Sequence, residues 1–322
     1  MARANALYYA THDPFADFTT APEVTQVFGE IMGLWSAVVW DSMGRPDLVA
    51  LVECGPGRGT LMADALRAAG RVAPAFRAAL RLHLLETSPR LRAIQAEALP
   101  DAAWHDSLGA VPGGPMLLLG NEFLDALPIR QLVRRGAGWA ERWVEDGRFV
   151  EQPADLPGPA APRVRAAADG EVVELGEAAR AFVADVAQRV SRDGGAALFV
   201  DYGPAHSAPG DSLQALRGGQ PADPLADPGQ ADLTAHVDFE ALATVARAAG
   251  AVVHGPAPQG PFLAALGLFQ RTGRLAQGLP PARAAGLVQA AQRLAEPDRM
   301  GRLFKVLAVC HPALPTPPGF DL

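Results

Sequence analysis

The chain has 322 residues, enough for one large domain or two small ones, and its 49% apolar content is ample for a core. A formal net charge of −7 excludes a nucleic-acid binder that works by general electrostatics, and no run of ~18 apolar residues marks a membrane-spanning helix. The two cysteines, Cys54 and Cys310, lie too far apart in sequence for a disulfide framework or a zinc motif, so no metal is expected.

The start of the chain has no charged-then-apolar signal pattern, and the expected setting is a reducing, cytoplasmic one. Thr20-Ala21-Pro22-Glu23 reads as a capping box that opens a helix, with proline in the first turn. Apolar residues from Val24 to Val39 follow at helical spacing, and the helix should end near Gly44-Arg45-Pro46. A strand over 48–53 and a helix over 58–69 come next, then a strand over 81–86 and a helix over 88–98. A short strand near Trp104 and an apolar strand over 116–119 continue the series. Strands alternating with helices imply βαβ units, hence an α/β fold with a parallel sheet.

The pattern then changes. Segments 129–135 and 138–144 flank Gly136-Ala137 and read as a β-hairpin, with Trp139 and Trp143 expected to pack. The Pro-, Ala- and Asp-rich 152–170 reads as a loop or insertion. An amphipathic helix over 178–190 and a buried strand over 196–201 follow. Segment 203–230 is rich in Gly, Pro and Asp and should be a long surface loop, often a functional feature. Helices over 238–249 and 281–294 and a last strand over 303–309 complete the chain, and no internal repeat is present.

Glu53-Cys54-Gly55-Pro56-Gly57-Arg58-Gly59 joins the first strand to its helix. The dinucleotide fingerprint G-x-G-x-x-G needs glycine at 60, where Thr60 stands, and a phosphate loop needs Gly-Lys-Ser/Thr, which is absent. Alternating glycines alone also mark an ordinary tight turn. The acid ahead of them is more telling. A carboxylate aimed into the turn repels a pyrophosphate and attracts a cation, by about 2 kcal/mol at ~8 Å and an effective dielectric of ~20. S-adenosylmethionine carries an ammonium and a sulfonium and no phosphate. Glu86 ends the next strand, where a carboxylate can accept from both ribose hydroxyls; a helix-capping acid is the lesser alternative reading. Asp106, after Trp104-His105, is placed to contact an adenine amino group.

"MLLLGNEFLDALPIRQL" puts Asn121, Glu122 and Asp125 at the carboxyl end of the fourth strand, the edge where open α/β sheets bind ligands. Two carboxylates near a methyl donor suit a guanidinium acceptor and can take its proton, although both also suit a helix cap. Asp201 ends another buried strand and is a further candidate lining residue. His236, just before the helix-capping Asp238, is a candidate catalytic residue or a packing one. His83 lies inside a strand and reads as structural.

"DFTTAPEVTQVFGEIMGLW", "LVECGPGRGTL", "HLLETSPRLRAIQ", "NEFLDALPIRQ", "VDYGP", "DPLADPGQADLTAHVDFEAL" and "GRLFKVLAV" occur in order from Asp17 to Val309. In these segments the sequence resembles the mitochondrial complex I assembly methyltransferases and their bacterial MidA-like relatives. The resemblance implies a class I methyltransferase fold, Rossmann-like, with a seven-stranded, mostly parallel sheet and family-specific insertions. It implies an S-adenosylmethionine site at Glu53, Gly55, Gly57, Gly59, Glu86, Asp106, Asn121 and Glu122, approached by Thr19, Thr20, Pro22 and Glu23. The glycines that usually precede the Asp–Phe pair are missing here, which implies a differently shaped cover over the cofactor.

The organisation expected is one domain over 1–322. A cofactor-binding half spans 17–130, a hairpin and helical insertion 131–190, and the other half of the sheet 191–322, with its long loop over 203–236. The expected activity is methyl transfer from S-adenosylmethionine to arginine of a protein partner, with Glu122, Asp125 and His236 as catalytic candidates. The expected partner is an arginine-bearing protein, with neither nucleic acid nor membrane, and a homodimer is left open. A non-catalytic cofactor-binding assembly factor, a small-molecule methyltransferase and an NAD oxidoreductase are the alternatives.

Overall fold

A computed structural model describes residues 1–12, 19–156 and 162–321. Three helices, α1 (Ala2–Thr11), α2 (Ala21–Val24) and α3 (Gln26–Ser42), precede β1 (Val49–Cys54). Then come α4 (Thr60–Val72), α5 (Pro74–Ala79), β2 (Leu80–Leu85), α6 (Pro89–Ala98), β3 (Ala103–His105) and β4 (Met116–Asn121). Antiparallel β5 (Arg130–Arg135), β6 (Gly138–Glu145) and β7 (Arg148–Ala154) are followed by α7 (Pro162–Arg165) and β8 (Val172–Leu175). The chain returns through α8 (Glu177–Asp193) to β9 (Gly195–Tyr202), then forms short β10 (Gln214–Arg217), β11 (Gln220–Ala222) and β12 (Asp232–Thr234). It ends in α9 (Phe239–Ala248), β13 (Val252–Pro258), α10 (Gln259–Ala265), α11 (Leu268–Ala276), α12 (Pro281–Ala295), α13 (Met300–Leu303) and β14 (Phe304–Cys310).

Seven strands form one sheet in the order β13-β14-β9-β4-β1-β2-β3. All neighbours pair in parallel except β14, which is antiparallel to β9 and β13. Continuous apolar runs such as Met116–Leu119 are buried on both faces, as a covered parallel sheet requires. One core packs α3, α4, α5 and the α10–α12 group against one face; α8 and α9 cover the other. The α3–α4 contact is close because Gly33 faces α4: a Cβ there would stand 2.6 Å from the Ala65 Cα. The strand order reverses between β1 and β4, which leaves a crevice at their carboxyl ends.

The structure departs from the sequence expectations in four places. Thr20 makes no side-chain cap; Thr25, in extended backbone, breaks the helix after one turn and caps α3 by accepting from the Val27 N–H at 3.3 Å. Segment 203–230 is not a plain loop. Its β10 and β11 form a hairpin, and β12 pairs with β10 on the other side. The expected hairpin forms, but it belongs to a four-stranded sheet, β7-β6-β5-β8, whose β7 takes up the start of the expected 152–170 loop. Trp143, expected to pack, is 50% exposed on β6. The rest of the 152–170 expectation falls partly, at 157–161, outside the described residues, as do 17–18 of the segment that carries the family resemblance.

Buried Glu30 on α3 joins three helices, accepting from Arg67 of α4 and Arg271 of α11, each at 2.6 Å. Burial alone would raise its pKa, but the two guanidiniums outweigh that and hold it below the ordinary value. Its contribution is therefore complete above the ordinary carboxylate range and lost as pH falls through the lowered value. Because both arginines are about one-third exposed, Glu30→Ala should cost about 2 kcal/mol, between a surface and a buried pair. The shift in urea midpoint at pH 7 checks this, and the difference from wild type should shrink at pH 3.

Candidate active site

A cavity of about 770 Å³ lies at the carboxyl ends of β1, β2 and β4. The β1–β2 register sets Cys54 beside Leu85, and the Gly55 N–H donates to the Leu85 carbonyl at 3.0 Å. Gly55, Gly57 and Gly59 all have left-handed backbone, with φ of +59°, +57° and +81°. That requirement explains the alternating glycines, since other residues would be strained there. The turn delivers the chain into α4, and Glu53 and Glu86 reach the cavity from adjacent strand ends.

Glu53 is 4% exposed. The Met62 N–H donates to its carboxyl, but Oε2 is buried with no hydrogen-bond partner. Burial pushes this carboxyl from 4.5 to about 8, only partly opposed by the Met62 bond. Glu86 is also buried. Its Oε1 accepts from the Ser88 N–H at 2.8 Å and its Oε2 from Gln95 at 3.3 Å. Burial raises its pKa and these bonds oppose the rise. The cap of α6 is Ser88, whose Oγ accepts from the Leu91 N–H at 3.4 Å, so Glu86 lies on the cavity wall and holds the Ser88 N–H rather than capping the helix itself. Asp106 stands at the rim, 81% exposed at the side chain and paired with Arg92 at 2.6 Å.

Thr20, Pro22 and Glu23 line the cavity, and Glu23 accepts from the Thr60 hydroxyl at 2.6 Å. Asn121 also lines it; its Nδ2 donates to Glu122 at 3.0 Å while its buried Oδ1 has no partner. Glu122 and Asp125 lie off the wall. Glu122 has φ +49° and accepts from the Ala21 N–H at 2.9 Å, so it anchors the 20–23 segment. Asp125 is buried among Asp201, Glu122 and Asp232, which with burial hold its pKa well above the carboxylate range. It takes a hydrogen bond from Tyr202, and its Oδ1 is buried without a partner. Asp201, expected to line the site, makes the turn instead: its carboxyl accepts the N–H groups of Leu124, Asp125 and Tyr202. His236 is not at this cavity. It lines a separate one of about 340 Å³ and stands edge-on to Tyr202 at 5.6 Å. His83 contacts His105 at 2.9 Å within the sheet.

The sequence reading missed three contributors. Helix α1 covers the cavity: Asn5 bonds Ala126 and Leu233, Tyr9 donates to Asp232 at 2.8 Å, and Ser88 donates to the Tyr9 carbonyl at 2.9 Å. Phe182 and Asp185 of α8 complete the wall. Gln95, fully buried on α6, touches the glycine turn. An uncompensated glutamine at a helical core position was the one available signal; α1 had none in its weak apolar pattern.

Among the described residues that line the cavity, five are acids (Glu23, Glu53, Glu86, Asp106, Asp185) and none is Lys or Arg. That set does not fit a pyrophosphate. It fits a cationic nucleoside, which would supply a partner for the unpaired Glu53 oxygen and donors for Asn121 Oδ1. Residues 31–257 match the family described as "Putative S-adenosyl-L-methionine-dependent methyltransferase". The chain belongs to this family. Its cofactor is S-adenosylmethionine. It is 33% identical to the Danio rerio mitochondrial protein arginine methyltransferase NDUFAF7 over 95% of this chain and 80% of that one. Its Homo sapiens counterpart is 32% identical over 94% and 76%. A Burkholderia thailandensis structure bound to S-adenosyl-homocysteine has a TM-score of 0.77 at 28% identity, covering 94% of this chain and 81% of that one. A native structure from the same organism has a TM-score of 0.80 at 29% identity, covering 98% and 87%.

The Glu53 carboxyl has a stability consequence. Its folded value lies above its unfolded one, so the native chain holds a proton that the unfolded chain has lost. Stability of the ligand-free protein therefore falls as pH rises from 4.5 to about 8. Glu53→Gln should gain on wild type across that window. Urea midpoints at pH 5 and pH 8.5 check it; an equal difference at both would count against a neutral buried carboxyl.

Proposed function

We propose that the chain uses a class I methyltransferase fold to methylate arginine in a protein partner. The observation that carries this is the cavity whose described charged lining residues are all acidic, with a buried acidic cluster beside it, and the naming of relatives across nearly the whole chain supports the acceptor. A role in assembling a respiratory complex, implied by the resemblance, and a cytoplasmic setting belong to the same proposal.

When bound, S-adenosylmethionine supplies an electrophilic methyl on a sulfonium. Glu53 faces the cationic end and gives up its proton to do so. Glu86 accepts from the ribose hydroxyls, and Asn121 takes a donor at its free Oδ1. Glu122 holds the 20–23 segment against the cavity. Asp125, behind the wall with one oxygen unpaired, would first lose its own proton as the guanidinium enters, and its carboxylate would then receive the proton that the guanidinium nitrogen loses on methylation. The helix α1 cover limits water, and alignment of nitrogen and methyl can contribute several kcal/mol.

Calorimetry should show micromolar binding of S-adenosylmethionine, no binding of NAD, and release of about one proton per ligand near pH 7, given a Glu53 pKa of about 8. Affinity should rise about tenfold per pH unit from 6 to 7.5. Glu53→Gln should bind weakly and without this pH dependence. Radiolabelled methyl transfer to arginine-bearing proteins tests the acceptor. Asp125→Asn should keep cofactor affinity within about twofold and lose turnover by 10²-fold or more, the size of a general-base effect. Label on a small molecule alone, or undiminished turnover of the variant, would overturn the acceptor assignment.

A further inference from the structure

Gln95 is the only side chain on α6 that meets both arms of the cofactor cradle among the hydrogen bonds at the site. Its Nε2 donates to the Gly57 carbonyl at 2.7 Å and to Glu86 Oε2 at 3.3 Å. Its Oε1 accepts from Trp104 Nε1 at 2.8 Å. It is fully buried, and its Cγ lies 3.8 Å from where a Gly59 Cβ would stand. Burying an amide is costly unless its groups are bonded, and here each heavy polar atom is. The bonds join the turn after β1, the acid after β2 and the middle of β3.

We infer that Gln95 is a positioning residue for ribose recognition, fixing the Glu86 carboxylate and the Gly57 peptide in one geometry. This rests on the reading of Glu86 as the ribose acceptor. The Ser88 N–H holds Glu86 Oε1. Gln95 holds the other oxygen, so the carboxylate cannot turn about its own axis. A fixed carboxylate presents the same lone pairs to both hydroxyls of a vicinal diol. One that rotates loses that match. The same Nε2 keeps the Gly57 carbonyl turned away from the ligand, toward α6.

The test measures binding of S-adenosylhomocysteine and of its 2′-deoxy and 3′-deoxy forms to wild type and Gln95→Met, which keeps the side-chain length and removes all three bonds. Wild type should prefer the ribose form. In the variant S-adenosylhomocysteine should weaken about tenfold, the deoxy forms much less, and the preference should collapse. Equal weakening of all three would mean a packing role and overturn the inference, as would unchanged binding. If Gln95→Met does not fold, Gln95→Glu serves: it should bind S-adenosylhomocysteine at least tenfold better relative to wild type at pH 5.5 than at pH 8, because a protonated carboxyl restores the donor. A pH-independent ratio overturns the inference. Failure of wild type to bind S-adenosylhomocysteine would instead overturn the parent reading of the cavity.

Discussion

A carboxyl buried without a charge partner is the constraint from which the rest of the cavity follows. Glu53 ends β1 between parallel neighbours, where little water can reach it, and no basic side chain lies on the same wall. Such a group stays protonated until a cation arrives. The glycine turn lets a ligand approach the backbone next to that acid. With five acids at separate points of the wall, Glu53 among them, and no lysine or arginine among the described lining residues, the wall disfavours a phosphate-bearing ligand. The choice between two nucleoside cofactors is thus written in charge rather than in the glycine spacing, which both tolerate.

The cover over this acid is assembled from distant pieces. Helix α1 is held on one side by Asn5 and Tyr9 to the β12 strand, and on the other by its Tyr9 carbonyl to Ser88. Its Ala4 packs with Ala215, Ala231 and Leu233 of the small β10–β12 sheet. That small sheet therefore has a job: it is a second wall on which the cover rests. Hydrogen bonds from few residues and a small apolar contact hold α1, whereas the main sheet is locked by two large cores. Opening is accordingly cheaper at α1 than at the buried central strands.

The sequence made the central βαβ series readable because buried parallel strands are near-continuous apolar runs and each strand end carries a polar break. Glu53, Glu86 and Asn121 stand at such breaks, and all three reach the cavity. The 203–230 segment misled for a physical reason. Its strands β10 and β11 are four and three residues long, are joined directly by Gly218-Gly219, and β11 carries Pro221, so they lack the alternation that marks longer strands. The break at Thr25 was hidden because Thr20 offered a better-looking cap. Asp125 and His236 could be placed near the sheet edge but not on a wall, since facing direction after a left-handed Glu122 is set by tertiary contacts.

The turn after β4 shows how neighbouring acids divide their work. Asp201, reaching across from β9, accepts three backbone N–H groups and fixes the turn's shape. Glu122 spends one oxygen on Asn121 and Ala21, which ties β4 to the N-terminal segment. Only Asp125 retains a buried oxygen with no partner in this group. A residue whose bonds are complete serves structure; one left with an unmet acceptor among other acids is poised for a cation. By that criterion the same distinction separates Glu86, whose two oxygens are both bonded, from Glu53, whose Oε2 is not.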